Sequence, residues 1–265
     1  MISVAITVAK KDGKRKTAED KPRETIVESL SSLAAGLVKI FFVITFVVHA
    51  FEIPSSSMEN TLLIGDHVLV DRIQFAPRTS WMRALLPYRE VRRGDIVVFL
   101  APCEPGLHVV KRVIGEPGDR IHLRNGVVYR NGKPLQETYV IHSESSYPNA
   151  YRDDFPAVPT SESANVYPCW KHELAKHVEG EDLVVPPGHY FAMGDNRDVS
   201  LDSRYWGFIP QENLIGRPMF VYWSFETPDG QYLKTGMADR LGFLAHVVLH
   251  FFDETRWGRT LEVVR

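Results

Sequence analysis

The 265 residues are 44% hydrophobic and carry a net charge of −2 with a pI near 6.6. That length and apolar share support one large or two modest domains with a buried core. The near-neutral balance gives no basic face of the kind nucleic-acid binding requires, so no nucleic-acid partner is expected.

Residues 1–29 hold Lys10, Lys11, Lys14, Arg15, Lys16, Lys21 and Arg23 around a few acids and Pro22, which reads as a disordered basic tail. From Leu30 to Phe51 the chain is apolar and about as long as a helix needs to cross ~30 Å of hydrocarbon. Residues 30–51 are therefore expected to form a transmembrane anchor, with Lys39 near enough to one end to snorkel. A core helix or a cleaved signal peptide are the alternatives; the second lacks an Ala-X-Ala site before Pro54. Basic residues ahead of the anchor place the tail in the cytoplasm and residues from 52 onward on the far side.

Directly after that segment comes Pro54-Ser55-Ser56-Ser57-Met58-Glu59-Asn60-Thr61-Leu62-Leu63-Ile64-Gly65-Asp66. A serine row is commonly a loop or a helix cap. Its position at the start of a body rich in Val and Ile strands, separated by Gly, Pro and Asn, is what singles it out. Asp66 to Arg72 alternates as a strand, and 74–90 is an irregular stretch with Pro77, Trp81, Leu85, Leu86 and Pro87, suited either to lipid headgroups or to packing on its own body. Arg93-Gly94-Asp95 makes a turn before the apolar run Ile96–Leu100.

The following strand carries Lys111 among Val109, Val110, Val113 and Ile114. In extended geometry Val109, Lys111 and Val113 share one face and Val110 and Arg112 the other. Burial there would disfavour the ammonium and free a neutral amine as a base; on an edge strand the same lysine would simply face solvent. Asn125-Gly126 and Asn131-Gly132 are hairpin turns, and 136–183 reads as an insertion into the β framework. His142, His172 and His177 within it lack metal-ligand spacing. Cys103 and Cys169 lie near different predicted strands, which weighs against a disulfide, although an oxidising compartment would allow one. Val184 to Asn196 is a turn, a strand and a polar corner; beyond it, Asp202 and Arg204 read as a salt-bridged turn and Ser200 as an amine partner or a turn cap. The segment 241–252 is too short to span and suits an interfacial or a terminal core helix.

Taken in order, Pro54-Ser-Ser-Ser-Met58, Gly65-Asp66, Arg93-Gly-Asp-Ile-Val-Val-Phe99, Val110-Lys-Arg-Val-Ile-Gly115 and Gly194-Asp-Asn196 with Ser200-Leu-Asp-Ser-Arg-Tyr-Trp-Gly207 resemble the bacterial type I signal peptidases. The resemblance runs from about Phe51 to Trp223. It implies a mainly β protein: an N-terminal transmembrane helix, then a periplasmic all-β catalytic body (52–135 and 184–230) carrying an inserted, smaller β-rich domain (136–183), with 231–265 as an apolar C-terminal segment. It further implies a Ser-Lys endopeptidase without cofactor or metal, held in the bacterial inner membrane. Its expected partners are signal-peptide-bearing preproteins, membrane lipid and a nearby translocon. Ser57 matches the nucleophile, Lys111 the general base, Ser55 with the Ser57 N–H the oxyanion hole, and Ser200, Asp202 and Arg204 supporting positions. Phe51, Ile53, Met58 and Val110 match substrate-pocket positions. Asn60 stands where such proteins often have Pro, and Ser56 where they often have Gly. A self-cleaving Ser-Lys protease and a membrane-anchored, non-catalytic β binding domain are the rival readings.

Overall fold

A computed structural model describes residues 25–75, 88–143 and 147–265, which leaves most of the basic tail and the Trp81 loop outside the described residues. The chain divides into two units, one ending at Phe41 and one running Phe42–Arg265. The first holds all but the last residue of helix α1 (Ile26–Phe42). Thr25 and Glu28 cap its start reciprocally: the Thr25 N–H donates to Glu28 Oε2 at 2.8 Å and the Glu28 N–H to Thr25 Oγ1 at 3.4 Å.

The expected 30–51 helix is corrected here. α1 stops at Phe42, a π-helical turn covers Val43–Val47, and strand β1 (Val48–Glu52) begins at the next residue. The run Val43, Ile44, Thr45, Val47 and Val48 is dense in β-branched residues, which lose χ1 freedom in a helix and suit a pleated strand. Among the described residues no helix is long and apolar enough to cross a membrane.

The second unit is mainly β. Its large sheet uses β1, β2 (Asp66–Asp71), β3 (Ile96–Leu100), β4 (His108–Gly115), β10 (His189–Met193), β11 (Ile209–Pro210) and β12 (Leu214–Ser224), in the order β1-β2-β12-β3-β4-β10-β11, with β13 (Glu262–Val263) paired to β12. Every pairing in it is antiparallel. A second sheet, ordered β7-β6-β5-β9-β8, joins β5 (Arg120–Arg124), β6 (Val127–Arg130) and β7 (Lys133–Pro134) to β8 (Val178–Glu179) and β9 (Asp182–Val184). Asn125-Gly126 and Asn131-Gly132 supply the left-handed residues at the β5–β6 and β6–β7 hairpins. Between β7 and β8 lie the short helices α2 (Ala150–Asp153) and α3 (Pro168–Lys171), and α4 (Ser203–Trp206) follows β10.

Strand β3 explains the continuous apolar run in sequence, because both its faces are covered. Val97 and Phe99 pack with Val113, Ala192 and Ile209, while Ile96 and Val98 pack with Ile53, Met58, Leu62 and Val68. A third cluster, including Ile121, Phe155, Leu183 and Phe191, sits under the smaller sheet. Cys103 and Cys169 form a disulfide with Cα atoms 6.3 Å apart, against the sequence expectation. The fold brings the loop after β3 up to α3, a proximity that strand assignment alone does not reveal. The C-terminal helix α5 (Met237–Leu249) has no buried residue, so it is not a core helix.

Two ion pairs on buried carboxylates bind distant segments together. Arg112 grips Asp195 through Nε to Oδ1 at 2.8 Å and Nη2 to Oδ2 at 2.7 Å, and the Thr61 hydroxyl donates to Asp195 Oδ2 at 2.6 Å. Asp66 accepts from Ser224 Oγ at 2.6 Å and from Arg259 Nη2 at 2.6 Å. Asp195→Ala leaves Arg112 buried without its counter-ion and is expected to cost about 3 to 5 kcal/mol of stability. Urea unfolding of wild type and variant measures it, and a loss below about 1 kcal/mol would contradict the account.

Candidate active site

The serine row is held as the connection between β1 and β2, which pair antiparallel from Val48↔Asp71 to Glu52↔His67. The Ile53 N–H bonds to Asp66 O at 2.8 Å and the Gly65 N–H to Ile53 O at 2.9 Å, closing its base. Gly65 has φ +84°, and a Cβ there would run into the Phe225 carbonyl, so the closure requires glycine. Ser55 is extended, and Ser56–Met58 form one turn of 3-10 helix. Met58 and Leu62, both fully buried, anchor that turn in the core. Ser57 is thereby presented on a short, pinned arch.

Lys111 projects from β4, an interior strand between β3 and β10, and not from an edge. Its side chain is buried, and Nζ donates to Ser57 Oγ at 2.6 Å. Burial lowers the amine from 10.5 to about 8; Asp202 and Asp195 act to raise it, and Arg204 to lower it. Ser55 Oγ lies 3.4 Å from Ser57 Oγ. Two serine hydroxyls and an amine therefore meet within hydrogen-bond reach.

The turn after β10 closes the back of the site. Asp202 caps α4 and takes Arg204 in a two-point pair, Nε to Oδ1 at 2.8 Å and Nη2 to Oδ2 at 2.8 Å, and its Oδ2 also accepts from the Gly194 N–H at 3.2 Å. Burial by itself raises the Asp202 carboxyl; Arg204, and then Lys111, more than offset it and leave its pKa lowered. Asp202 and Arg204 are both fully buried, so the pair read from sequence as a turn salt bridge lies in the interior. Ser200 is also buried beside Gly194; its Oγ makes no hydrogen bond. A Cβ on Gly194 would overlap both Ser200 and the Ser57 carbonyl, so this position tolerates no side chain. The Asn196 N–H donates to that Ser57 carbonyl at 3.2 Å.

A cavity of about 550 Å³ opens in front of the dyad. Of the residues matched to substrate pockets, Phe51, Ile53, Met58 and Val110 all border it, with Val199 and Leu201 across from them. Met58 is only 1% exposed and also belongs to the core cluster, so its first physical role is to hold the serine turn.

Several supporting residues escaped sequence reasoning. Arg197 makes a two-point pair with Glu137 at 2.7 and 2.9 Å, and Tyr139 donates to the same carboxylate at 2.7 Å. Arg112 stacks on the Tyr139 ring at 4.0 Å. The available signal was the alternation of β4, which turns Arg112 away from Lys111 and demands an acid on the other side.

The chain matches the family described as signal peptidase, peptidase S26, over residues 26–223. It is 32% identical to a signal peptidase I of Buchnera aphidicola across 82% of this chain and 83% of that one. It is also 32% identical to the signal peptidase I of Aquifex aeolicus across 78% and 86%. A crystal structure of a signal peptidase I from Enterococcus faecalis V583 is 31% identical and covers 49% of this chain and 97% of its own, with a TM-score of 0.35. On the extent of those matches the chain belongs to the signal peptidase family, peptidase S26, and is a serine endopeptidase.

Proposed function

We propose that the protein removes N-terminal signal peptides from exported preproteins, with Ser57 as nucleophile and neutral Lys111 as general base. The bond from Lys111 Nζ to Ser57 Oγ at 2.6 Å, made by a buried amine, carries the reading. Ser57 Oγ attacks the scissile carbonyl carbon as its proton passes to Nζ; the proton then goes to the leaving amine, and water hydrolyses the resulting ester. The Ser55 hydroxyl and the Ser57 N–H stabilise the oxyanion, each such donor being worth about 10² to 10³ in rate. Asp202, Arg204 and Ser200 fix the electrostatics and shape behind the amine. The apolar walls at Phe51, Ile53 and Val110 favour small residues at −1 and −3. Apart from Phe51, the residues named fall in 52–135 and 184–230, the catalytic body in this reading.

The same proposal puts the protein in the bacterial cytoplasmic membrane, single-pass, with the catalytic unit on the outer side. Its support is the family membership and the exposed apolar surface of α1, where Leu30, Leu33, Val38, Phe41 and Phe42 all lack cover. Preproteins are the substrates, with lipid and the translocon as neighbours.

The first test is cleavage in detergent of a preprotein carrying an Ala-X-Ala site. Wild type is expected to cut after the second Ala, and Ser57→Ala and Lys111→Arg to lose at least about 10³-fold in rate, since arginine cannot be deprotonated. Cutting by Ser57→Ala would overturn the assignment; cleavage of the chain itself in place of the preprotein would favour the self-cleaving rival, and no cleavage at all the binding domain.

The amine near 8 sets the pH profile. Below pH 8 the neutral fraction falls about tenfold per unit, so kcat/KM is expected to rise with that slope and level off above pH 8. A flat profile from pH 5 to 9 would exclude an amine base.

Stability responds to the same proton in a higher window. The folded pKa lies below the unfolded one, so between about pH 8 and 10.5 the unfolded chain holds a proton that the folded chain has lost. Stability therefore rises with pH across that window, and below pH 8 the full cost of burying the charge remains. Lys111→Met keeps the stem and removes the charge, and is expected to be inactive yet about 2 to 3 kcal/mol more stable at pH 7. Denaturant midpoints of the two proteins decide this; a destabilised Lys111→Met would refute the burial cost.

A further inference from the structure

On the far side of the sequence from the dyad, the stretch His246-Val-Val-Leu-His250-Phe-Phe-Asp-Glu254 runs across the C-terminal end of α5, which closes at Leu249. The four-residue spacing puts His246 and His250 on one helical face. The turn continues past the helix, with the His250 N–H bonded to His246 O at 2.9 Å and the Glu254 N–H to His250 O at 3.0 Å, which brings Glu254 onto the same line. One ligand atom from each of His246, His250 and Glu254 lies within 4.8 Å of the others.

We propose that His246, His250 and Glu254 form a binding site for a divalent transition cation of the zinc class. Two imidazoles and one carboxylate are a donor set that such ions accept, at metal–ligand distances of about 2.0 to 2.2 Å, with a fourth position left for water. His246 Nε2 already meets Glu254 Oε2 at 2.7 Å, and His250 Nδ1 is 3.7 Å from Glu254 Oε1, so small side-chain rotations bring the three onto one ion. Asp253 Oδ2 meets the same nitrogen, His250 Nδ1, at 2.9 Å, a contact that the ion would replace.

The backbone under the cluster is fixed. The Glu226 N–H bonds to Glu254 O at 3.0 Å and the Arg256 N–H to Ser224 O at 2.8 Å, clasping the segment to the end of β12. Phe225 holds the His246 ring edge-on, with centroids 6.0 Å apart. All three ligands stay partly exposed, so an ion can enter from solvent. Bound there, it would tie the end of α5 to the segment that is clasped beside β12.

The test uses the full chain without a polyhistidine tag, stripped with chelator and titrated calorimetrically with Zn²⁺ at pH 7.5. One ion per chain is expected, bound at least tenfold more weakly by His246→Ala and by Glu254→Gln. Co²⁺ should give a visible ligand-field spectrum in wild type that both variants lose. Preprotein cleavage should be unchanged in both, which keeps this outcome separate from the proposed activity. No saturable binding by wild type, or binding that both variants retain, would overturn the proposal. Glu254→Gln alone decides the matter if His246→Ala does not fold.

Discussion

The rest of the site depends on one interaction, the buried Lys111 amine set 2.6 Å from the Ser57 hydroxyl. Burial on an interior strand favours its neutral form, and the two acids nearby favour its charged one, because Asp202 and Asp195 both raise the Lys111 pKa. The fold answers each acid with an arginine. Arg204 engages Asp202 at two points, and Arg112 does the same for Asp195. A carboxylate already neutralised by a guanidinium at hydrogen-bond distance projects a much weaker field onto a third group. The two ion pairs are therefore worth more as screens for Lys111 than as sources of stability, where a buried pair gains little over well-packed apolar side chains.

Bringing Ser57 to that amine is a problem of assembly across the sequence. The β1–β2 connection supplies the serine, β4 the lysine, and the 194–204 turn the backing, and each is pinned to the next by the backbone. Asn196 donates to the Ser57 carbonyl, Gly194 donates to Asp202, and the Asp95 carbonyl and N–H neighbourhood is stitched to Val113 and Arg92. Gly194 makes this closeness possible, since its missing side chain is the space that Ser57 and Ser200 occupy. Because every link is short and mostly buried, small displacements of one segment are transmitted to the 2.6 Å contact, and such a contact is sensitive on the scale of an ångström.

The sequence was most legible where the period of the chain matched one environment. Ile96–Leu100 reads as a buried strand and is one, and the alternation of β4 separated Lys111 from Arg112 correctly. What alternation could not say was which neighbours β4 has, and that decided whether Lys111 faced water or the interior. The apolar run carries the expected helix on to Phe51 while the structure ends it at Phe42, because apolar composition alone does not distinguish a helix from a strand; the β-branched run from Val43 carries the switch. Cys103 with Cys169, and Glu137 with Arg197, are contacts between segments whose proximity exists only after folding. Nothing local in the sequence encodes them.

The early end of the helix ties the wall of the cleft to the serine row. β1 starts at Val48, immediately after the π-turn, and by Phe51 the same strand is already lining the cleft. Its pairing with β2 runs through Glu52↔His67, and the Ile53 N–H then bonds to Asp66 O, so the strand leads without a break into the arch that carries Ser57. Wall and hydroxyl are therefore parts of one hydrogen-bonded connection, and a shift of β1 moves both together.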